Sequence, residues 1–313
     1  MITVVSLNPA VDKTYSVSRM MEGKVHRVRE VQRRPGGKGN NVARVLKLLD
    51  CPVRVTGFAG GANGEWIRKQ LTALNIPHEY LSVEEETRHC LTILDDENAT
   101  QTEFLEPGPP VSSSRWLEFK KVLSELASES RFVLFCGSLP PGLPPDAYAE
   151  GIRLARKGGA RTALDTSGEA LRHGMQALPD IVKPNLREFQ GITGLAHPDE
   201  EDLRAHLKTW NRMGISLAVV TLGARGALAT TAGDSLRIHS PSIRAVNTVG
   251  SGDAFLAGLV GGLYRDQDLP DVLRLASATA ASNARHAQAG DIRPEDVKAW
   301  MKAVCITTGK TAD

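Results

Sequence analysis

From residue 113 onward, short apolar runs alternate with longer amphipathic segments. A helix near Ser113 to Ala127 leads to a strand from Phe132 to Cys136. A helix near Pro145 to Arg156 leads to a strand from Thr162 to Asp165, and a further helix to the run Ile181-Val182-Lys183-Pro184-Asn185. A helix over 200–213 then leads to Leu217 to Thr221. Strands joined through helices pair in parallel, because a tight hairpin can only join antiparallel neighbours. The connecting helices cover both faces of the sheet, so the expected class is α/β with a parallel sheet. In such sheets ligands bind beyond the carboxyl ends of the strands. Ser138, Asp165, Lys183, Asn185 and Thr221 all fall at such ends.

Glycine-rich turns punctuate the pattern. Residues 247 to 260 read Asn-Thr-Val-Gly-Ser-Gly-Asp-Ala-Phe-Leu-Ala-Gly-Leu-Val. Phe255, Leu256, Leu259, Val260 and Leu263 recur at helical spacing. Gly250 and Gly252 permit a tight turn and close backbone approach. The helix directs unpaired N–H groups and the positive end of its dipole at that turn, which suits phosphate or developing negative charge. Asp253 places a carboxylate in the first helical turn. Capping alone accounts for many such residues. The functional alternative is a general base beside an anion hole.

Gly36-Gly37-Lys38-Gly39-Asn40-Asn41 precedes an amphipathic helix carrying Val42, Val45, Leu46 and Leu49. A P-loop needs Gly four residues before Gly-Lys and Ser or Thr after it. Here Arg33 and Gly39 occupy those places. The dinucleotide fingerprint fails as well, because no clear strand runs directly into the turn. What remains is a helix N-terminus that a ligand can approach closely, or a plain tight turn. Leu222-Gly223-Ala224-Arg225-Gly226 joins the strand ending at Thr221 to another over Ala227 to Thr231, as a hairpin turn or a nucleotide contact.

The N-terminal third differs in texture. Ile2 to Leu7 reads as a buried strand ending at Asn8-Pro9, with Asp12 in the loop beyond. Residues 14 to 34 are extended and polar. Arg88 to Leu94 and Gln101 to Leu105 form a hairpin about Asp95-Asp96-Glu97-Asn98. Together these segments suggest a small sheet outside the main one. Arg88 suits a phosphate. Near the other end, Asp271 to Ala287 reads as an Ala-rich helix, and residues 304 to 313 as a frayed tail.

Composition narrows the function classes. A net charge of +2 gives no case for nucleic acid or an acidic membrane surface, and 5% aromatics supply no stacking platform for bases. Cys51, Cys90, Cys136 and Cys305 are scattered without a C-x-x-C pair, as expected of reduced, buried thiols. The opening Met-Ile-Thr-Val-Val-Ser-Leu lacks a basic n-region, so neither a signal peptide nor a membrane span is expected, and a cytoplasmic location is.

Six motifs in order resemble the PfkB branch of the ribokinase-like carbohydrate kinases. They are Asn8-Pro9-Ala10-Val11-Asp12, Gly36 to Ala43, Gly137-Ser138-Leu139-Pro140, Lys183 to Glu188, Thr221 to Gly226, and Thr248 to Asp253. The first two look most like 1-phosphofructokinase and tagatose-6-phosphate kinase. The resemblance implies a ribokinase-like three-layer sandwich with a small β-sheet lid, in one domain over 1–313 with the lid drawn from about 10–35 and 86–107. It also implies ATP- and Mg2+-dependent phosphorylation of a ketohexose phosphate, and a homodimer formed through the lids. Fructose 1-phosphate is the expected acceptor, with tagatose 6-phosphate and fructose 6-phosphate as alternatives. A non-catalytic sugar-phosphate sensor is the alternative of another class.

Residue roles follow from the resemblance. Asp253 matches the catalytic base, and the amides of Gly250, Ser251 and Gly252 the anion hole. Asp12, Gly37, Gly39 and Asn41 match positions that hold sugar hydroxyls, while Lys38, Arg88 and Ser138 are the candidates for the substrate phosphate. Lys183, Thr221, Gly223, Gly226, Thr248, Gly250 and Gly252 match ATP-binding positions, and Asn283 a position near the adenine. Asn185 and Glu188 match a motif associated with magnesium, through water. Ser251 departs from the family's usual Ala, where only the backbone amide is needed. Asp253 is expected to be ionised at neutral pH, given a reference pKa of about 4.

Overall fold

The structure, a computed structural model, describes residues 1–308. The first part of the chain forms β1 (Ile2–Ser6), β2 (Ala10–Val17), β3 (Glu30–Gly36), α1 (Lys38–Leu48), β4 (Val53–Gly60), α2 (Gly61–Ala73) and β5 (His78–Val83). Next come β6 (His89–Asp95), β7 (Thr100–Leu105), α3 (Ser113–Ser128), β8 (Phe132–Cys136), α4 (Ala147–Lys157), β9 (Arg161–Asp165) and α5 (Gly168–Gln176). The remainder forms β10 (Ile181–Val182), α6 (Leu186–Thr193), α7 (Glu200–Met213), β11 (Leu217–Thr221), β12 (Ala227–Thr230) and β13 (Ser235–His239). It ends with α8 (Ser251–Tyr264), α9 (Leu269–Ala284), α10 (Pro294–Met301) and β14 (Cys305–Thr308).

Ten strands make one sheet in the order β14-β13-β12-β11-β10-β9-β8-β1-β4-β5. The seven from β5 to β11 are parallel, and all of them after β1 are entered through a helical connection or by way of the lid. Side chains on a strand point alternately to opposite faces, and the sequence fills both. Leu134 and Val219 enter one apolar core with α1, α2, α8 and α9, whereas Phe135 and Val220 enter the other with α3, α4, α5 and α7. This is the ribokinase-like three-layer arrangement expected from the motifs.

Three expectations for the main body need correction. The sheet is mixed, because β12, β13 and β14 add antiparallel strands to one flank. Residues 305–308 belong to β14, which pairs with β13, so they are a strand and not a fraying tail. The rest of the expected tail, 309–313, lies outside the described residues. The Ala-rich helix α9 also stops at Ala284, before the expected Ala287.

The other four strands form a separate sheet, β3-β2-β6-β7. Asp12 lies within β2, opposite Arg34 and Cys90, and not in a loop. This lid touches the main body beside α8. Gln101 Nε2 on β7 donates to Thr248 Oγ1 at 2.9 Å, and Arg34 on β3 pairs with Asp291 at 3.0 Å. Among the described residues no helix is long and apolar enough to cross a membrane.

Candidate active site

The turn before α8 is forced by its glycine. Gly250 adopts φ 78°, and a Cβ there would lie 2.8 Å from the Cβ of Ala289. Asn247 Oδ1 accepts from the amide of Val249 at 2.9 Å. Asn283 braces the turn from α9: its Nδ2 donates to Val249 O at 2.9 Å and to Ser251 Oγ at 3.2 Å, and its Oδ1 accepts from the amide of Gly290 at 2.7 Å. Asn283, expected near the adenine, is fully buried with both ends of its amide engaged in bracing this turn. The α8 helix is apolar all round and nearly all its residues are buried, which fixes its N-terminus rigidly.

Asp253 sits in the first turn of α8, 6% exposed. Asn41 Nδ2 donates to its Oδ2 at 2.9 Å. Burial, then the nearby Asp165 carboxylate, pushes its pKa up to about 7; Lys38, the Asn41 hydrogen bond and Lys183 pull the other way. The expectation of a fully ionised Asp253 at neutral pH is thus corrected. In the absence of ligands the carboxyl is poised between its two states near neutrality, where a general base is most effective.

Asp165, at the end of β9, organises the surrounding charge. Its buried carboxylate lies 2.8 Å from Lys38 Nζ and 2.9 Å from Lys183 Nζ. Burial opposes its ionisation, but the two ammonium groups outweigh that and hold its pKa below the usual value. Lys183 follows β10 directly and is 2% exposed. A Cβ on Gly252 would fall 3.5 Å from Lys183 Nζ, which puts this ammonium beside the first turn of α8. Lys38 Nζ is also 3.3 Å from Glu188 Oε1. Burial works against its charge, yet Asp165, Glu188 and Asp253 together hold its pKa above the ordinary value.

The three residues expected to share the substrate phosphate therefore separate. Lys38 joins the carboxylate cluster beside Asp253. Arg88 donates to the carbonyls of Glu106 at 2.7 Å and Asn8 at 2.9 Å, where β6 and the end of β7 leave the lid. Ser138 Oγ accepts from Asn8 Nδ2 at 3.1 Å. Arg88 and Ser138 thus meet at Asn8.

Asn185 and Glu188 form a reciprocal capping box at the start of α6, with side chain to backbone distances of 2.9 and 2.8 Å. The second oxygen of Glu188 faces Lys38. Among the described residues no three His, Cys, Asp or Glu side chains gather as a metal cage. Thr221 bridges to Asn185 across the sheet through backbone. At Gly226, φ is 88° and a Cβ would strike Ile238 O at 2.0 Å, whereas a Cβ at Gly223 meets nothing within 4 Å and leaves room for a ligand.

The turn before α1 shows two uses of glycine. Gly37, at φ 80°, opens the helix N-terminus. Gly39 lies against β1, where a Cβ would come within 2.4 Å of Ser6 Cβ; its small size serves helix–strand packing. Asp12 lies against Gly36 and accepts a hydrogen bond from the Gly37 amide. Its pKa is pushed up to about 6 by burial, against the pull of Arg44 and Arg88. Thr14, Gln32, Arg34 and Thr92 join Asp12 in lining a polar cavity between the lid and the residues flanking α8. Sequence reasoning gives no role to Arg44, which is buried within α1, and marks Asp165 only for its place at a strand end.

Comparison with known proteins agrees with this geometry. The family described as pfkB family carbohydrate kinase matches residues 5–296. Tagatose-6-phosphate kinase of Staphylococcus epidermidis is 35% identical over 307 residues, covering 97% of this chain and 98% of that protein. A crystal structure from Thermotoga maritima, named as a possible 1-phosphofructokinase, superposes with a TM-score of 0.92 at 26% identity, covering 99% of this chain and 100% of that one. Phosphofructokinase-2 of Escherichia coli has a TM-score of 0.90 at 24% identity, over 96% and 98% of the two chains, a likeness of fold. With a match that runs through the lid, the main sheet and the α8 turn, the chain belongs to the pfkB family of carbohydrate kinases, phosphotransferases with an alcohol group as acceptor.

Proposed function

We propose that this kinase transfers the terminal phosphoryl group of ATP to a ketohexose phosphate, and that fructose 1-phosphate is the acceptor. The carrying observation is Asp253, buried at the N-terminus of α8 and hydrogen-bonded by Asn41, with Lys183 beside the adjoining Gly252. The acceptor hydroxyl lies against Asp253, which takes its proton as the new O–P bond forms and the bond to the leaving ADP oxygen breaks. The amides of Gly250 and Gly252 hold the equatorial phosphoryl oxygens, while the Ser251 amide, expected to join them, already donates to Thr248 O at 3.2 Å within the turn; Lys183 adds a positive charge at the same place. Asp12 orients a sugar hydroxyl from the lid side, while Arg88 and Ser138, joined at Asn8, receive the phosphate already on the sugar. Thr221, Gly223 and Gly226 offer backbone to the nucleotide.

Magnesium fits this donor set as an ion that keeps most of its water and binds through few carboxylates. Glu188 and Asp165 would reach it through water, and it would neutralise charge on the nucleotide phosphates. Lys38, tied to both carboxylates, belongs to this side of the site and not to the sugar phosphate. On the face of the lid away from Asp12, Val31 and Phe104 are more than half exposed, an apolar surface suited to a second copy of the chain.

The likeness to the Thermotoga maritima structure supports fructose 1-phosphate, the Asn8-to-Asp12 motif being shared by both candidate kinases. The 35% identity to a tagatose-6-phosphate kinase favours tagatose 6-phosphate as the second reading. A coupled ADP-release assay over fructose 1-phosphate, tagatose 6-phosphate and fructose 6-phosphate decides between them. Fructose 1-phosphate is expected to give the highest kcat/KM. A higher value for either of the others would replace the substrate and leave the kinase mechanism standing.

A further inference from the structure

We infer that Arg44 is a positioning residue that fixes both the hydrogen-bonding direction of Asn41 toward Asp253 and the segment supporting the anion hole. Resting on the role of Asp253 proposed above, this inference deepens it. Arg44 lies on α1 and is 6% exposed. Its Nη2 donates to Asn41 Oδ1 at 2.9 Å and to Ala289 O at 2.5 Å. Its Nε donates to Gly290 O at 3.0 Å, and its Nη1 to Pro35 O, at the root of lid strand β3, at 3.1 Å.

A guanidinium carries donors and no acceptor. It therefore claims the oxygen of the Asn41 amide and leaves the NH2 end for Asp253 Oδ2. Were that amide turned over, its oxygen would face a carboxylate oxygen, and Asp253 would lose a donor that favours its charged form. The same guanidinium holds Ala289 and Gly290. Ala289 is what a side chain at Gly250 would strike, and the Gly290 amide holds Asn283, whose Nδ2 in turn holds Val249 O. One side chain thus braces the base through one amide and the anion hole through another, and ties both to the lid.

Other charges act on Asp253 and are not moved by this device. Lys38 and Lys183 favour its ionisation, while Asp165 on β9 opposes it. The Cys136 thiol on β8 also lies within its field. Arg44 itself is faced by Arg34, Asp12, Asp291 and Asp253. A test must therefore separate the direction of hydrogen bonds from loss of charge.

Arg44→Lys does so, because lysine keeps the charge but presents one compact ammonium in place of a planar fork. For Arg44→Lys, kcat with ATP and the preferred ketohexose phosphate should fall about tenfold at pH 7 while both KM values change little. The acidic limb of its pH–kcat/KM profile should move up by about one pH unit. Asn41→Ala should move the limb in the same direction, and adding Arg44→Lys to it should move it no further. A folded Arg44→Lys enzyme whose limb stays at the wild-type position overturns the inference, since loss of packing alone would lower the melting temperature and leave the limb in place. Should Arg44→Lys not fold, Asn41→Ala still decides: an unshifted limb means Arg44 has nothing to act through. A wild-type enzyme inactive on every ketohexose phosphate would instead sink the substrate reading, which separates the two failures.

Discussion

Turnover should fall by about 10²–10⁴-fold when Asp253 is replaced by Asn, with binding of nucleotide and sugar retained. The amide has nearly the shape of the carboxyl and can still accept the hydrogen bond from Asn41. The turn from Val249 to Gly252 is held by Asn247, Asn283 and the 289–290 segment, none of which needs the charge at 253. What the amide cannot do is take a proton. Wild-type kcat/KM, which reports groups of the free enzyme, should rise with pH through about 7 as Asp253 loses its proton, with Asp12 titrating lower, near 6. The Asp253→Asn enzyme should lack the upper of these two steps. Rapid kinetics with direct binding measurements would check both points. Turnover close to wild type, or an unchanged acidic limb, would remove Asp253 from the reaction.

Asp165→Asn should have the largest effect on the fold, a loss of about 3 kcal/mol read from the urea midpoint at unchanged m-value. Removing one partner of a buried ion pair strands the other, and Lys183, with its side chain 3% exposed, has no second carboxylate within pairing distance among the described residues. Lys38 suffers less, because it is one-third exposed and keeps Glu188. The same change removes the like charge that helps raise the pKa of Asp253. The acidic limb of kcat/KM should therefore move to lower pH, opposite to the shift expected when Arg44 is altered. An unchanged midpoint would show that the two lysines do not depend on this carboxylate, and a limb moving upward would contradict the charge balance.

How much of this is legible in the sequence depends on where each residue's partner lies. The apolar alternation of Phe132–Cys136 and Leu217–Thr221 is a local signal, and those strands form where it puts them. The turn at Gly250 is legible for the same reason, because its need for glycine is a backbone property. Asn185-x-x-Glu188 reads as a magnesium motif. It is also a capping sequence, and in the structure it caps α6 while offering one oxygen to Lys38. Arg44 escapes notice because Ala289 and Gly290, which its guanidinium holds, are 245 and 246 residues distant. In the sequence Arg44 is one more basic residue on an amphipathic helix, and nothing nearby says that it is buried. Charge alone draws Lys38 toward the sugar phosphate, whereas the packing of α1 against β1 carries it to Asp165. β14 is hidden because four residues with little burial make a strand only once β13 presents a free edge.

The position of β1 and β14 in the main sheet bears on how the molecule is made. β1, synthesised before either of its neighbours, lies between β4 and β8, inside the sheet, and from β8 to β14 every later strand is laid beside the one just synthesised. Growth along that flank can keep pace with translation, each arriving segment covering the exposed rim left by its predecessor. β14 covers the last of these rims, that of β13, and is short, four residues, so the edge it leaves offers a neighbouring chain fewer backbone donors and acceptors than the five-residue β13 does before that strand emerges.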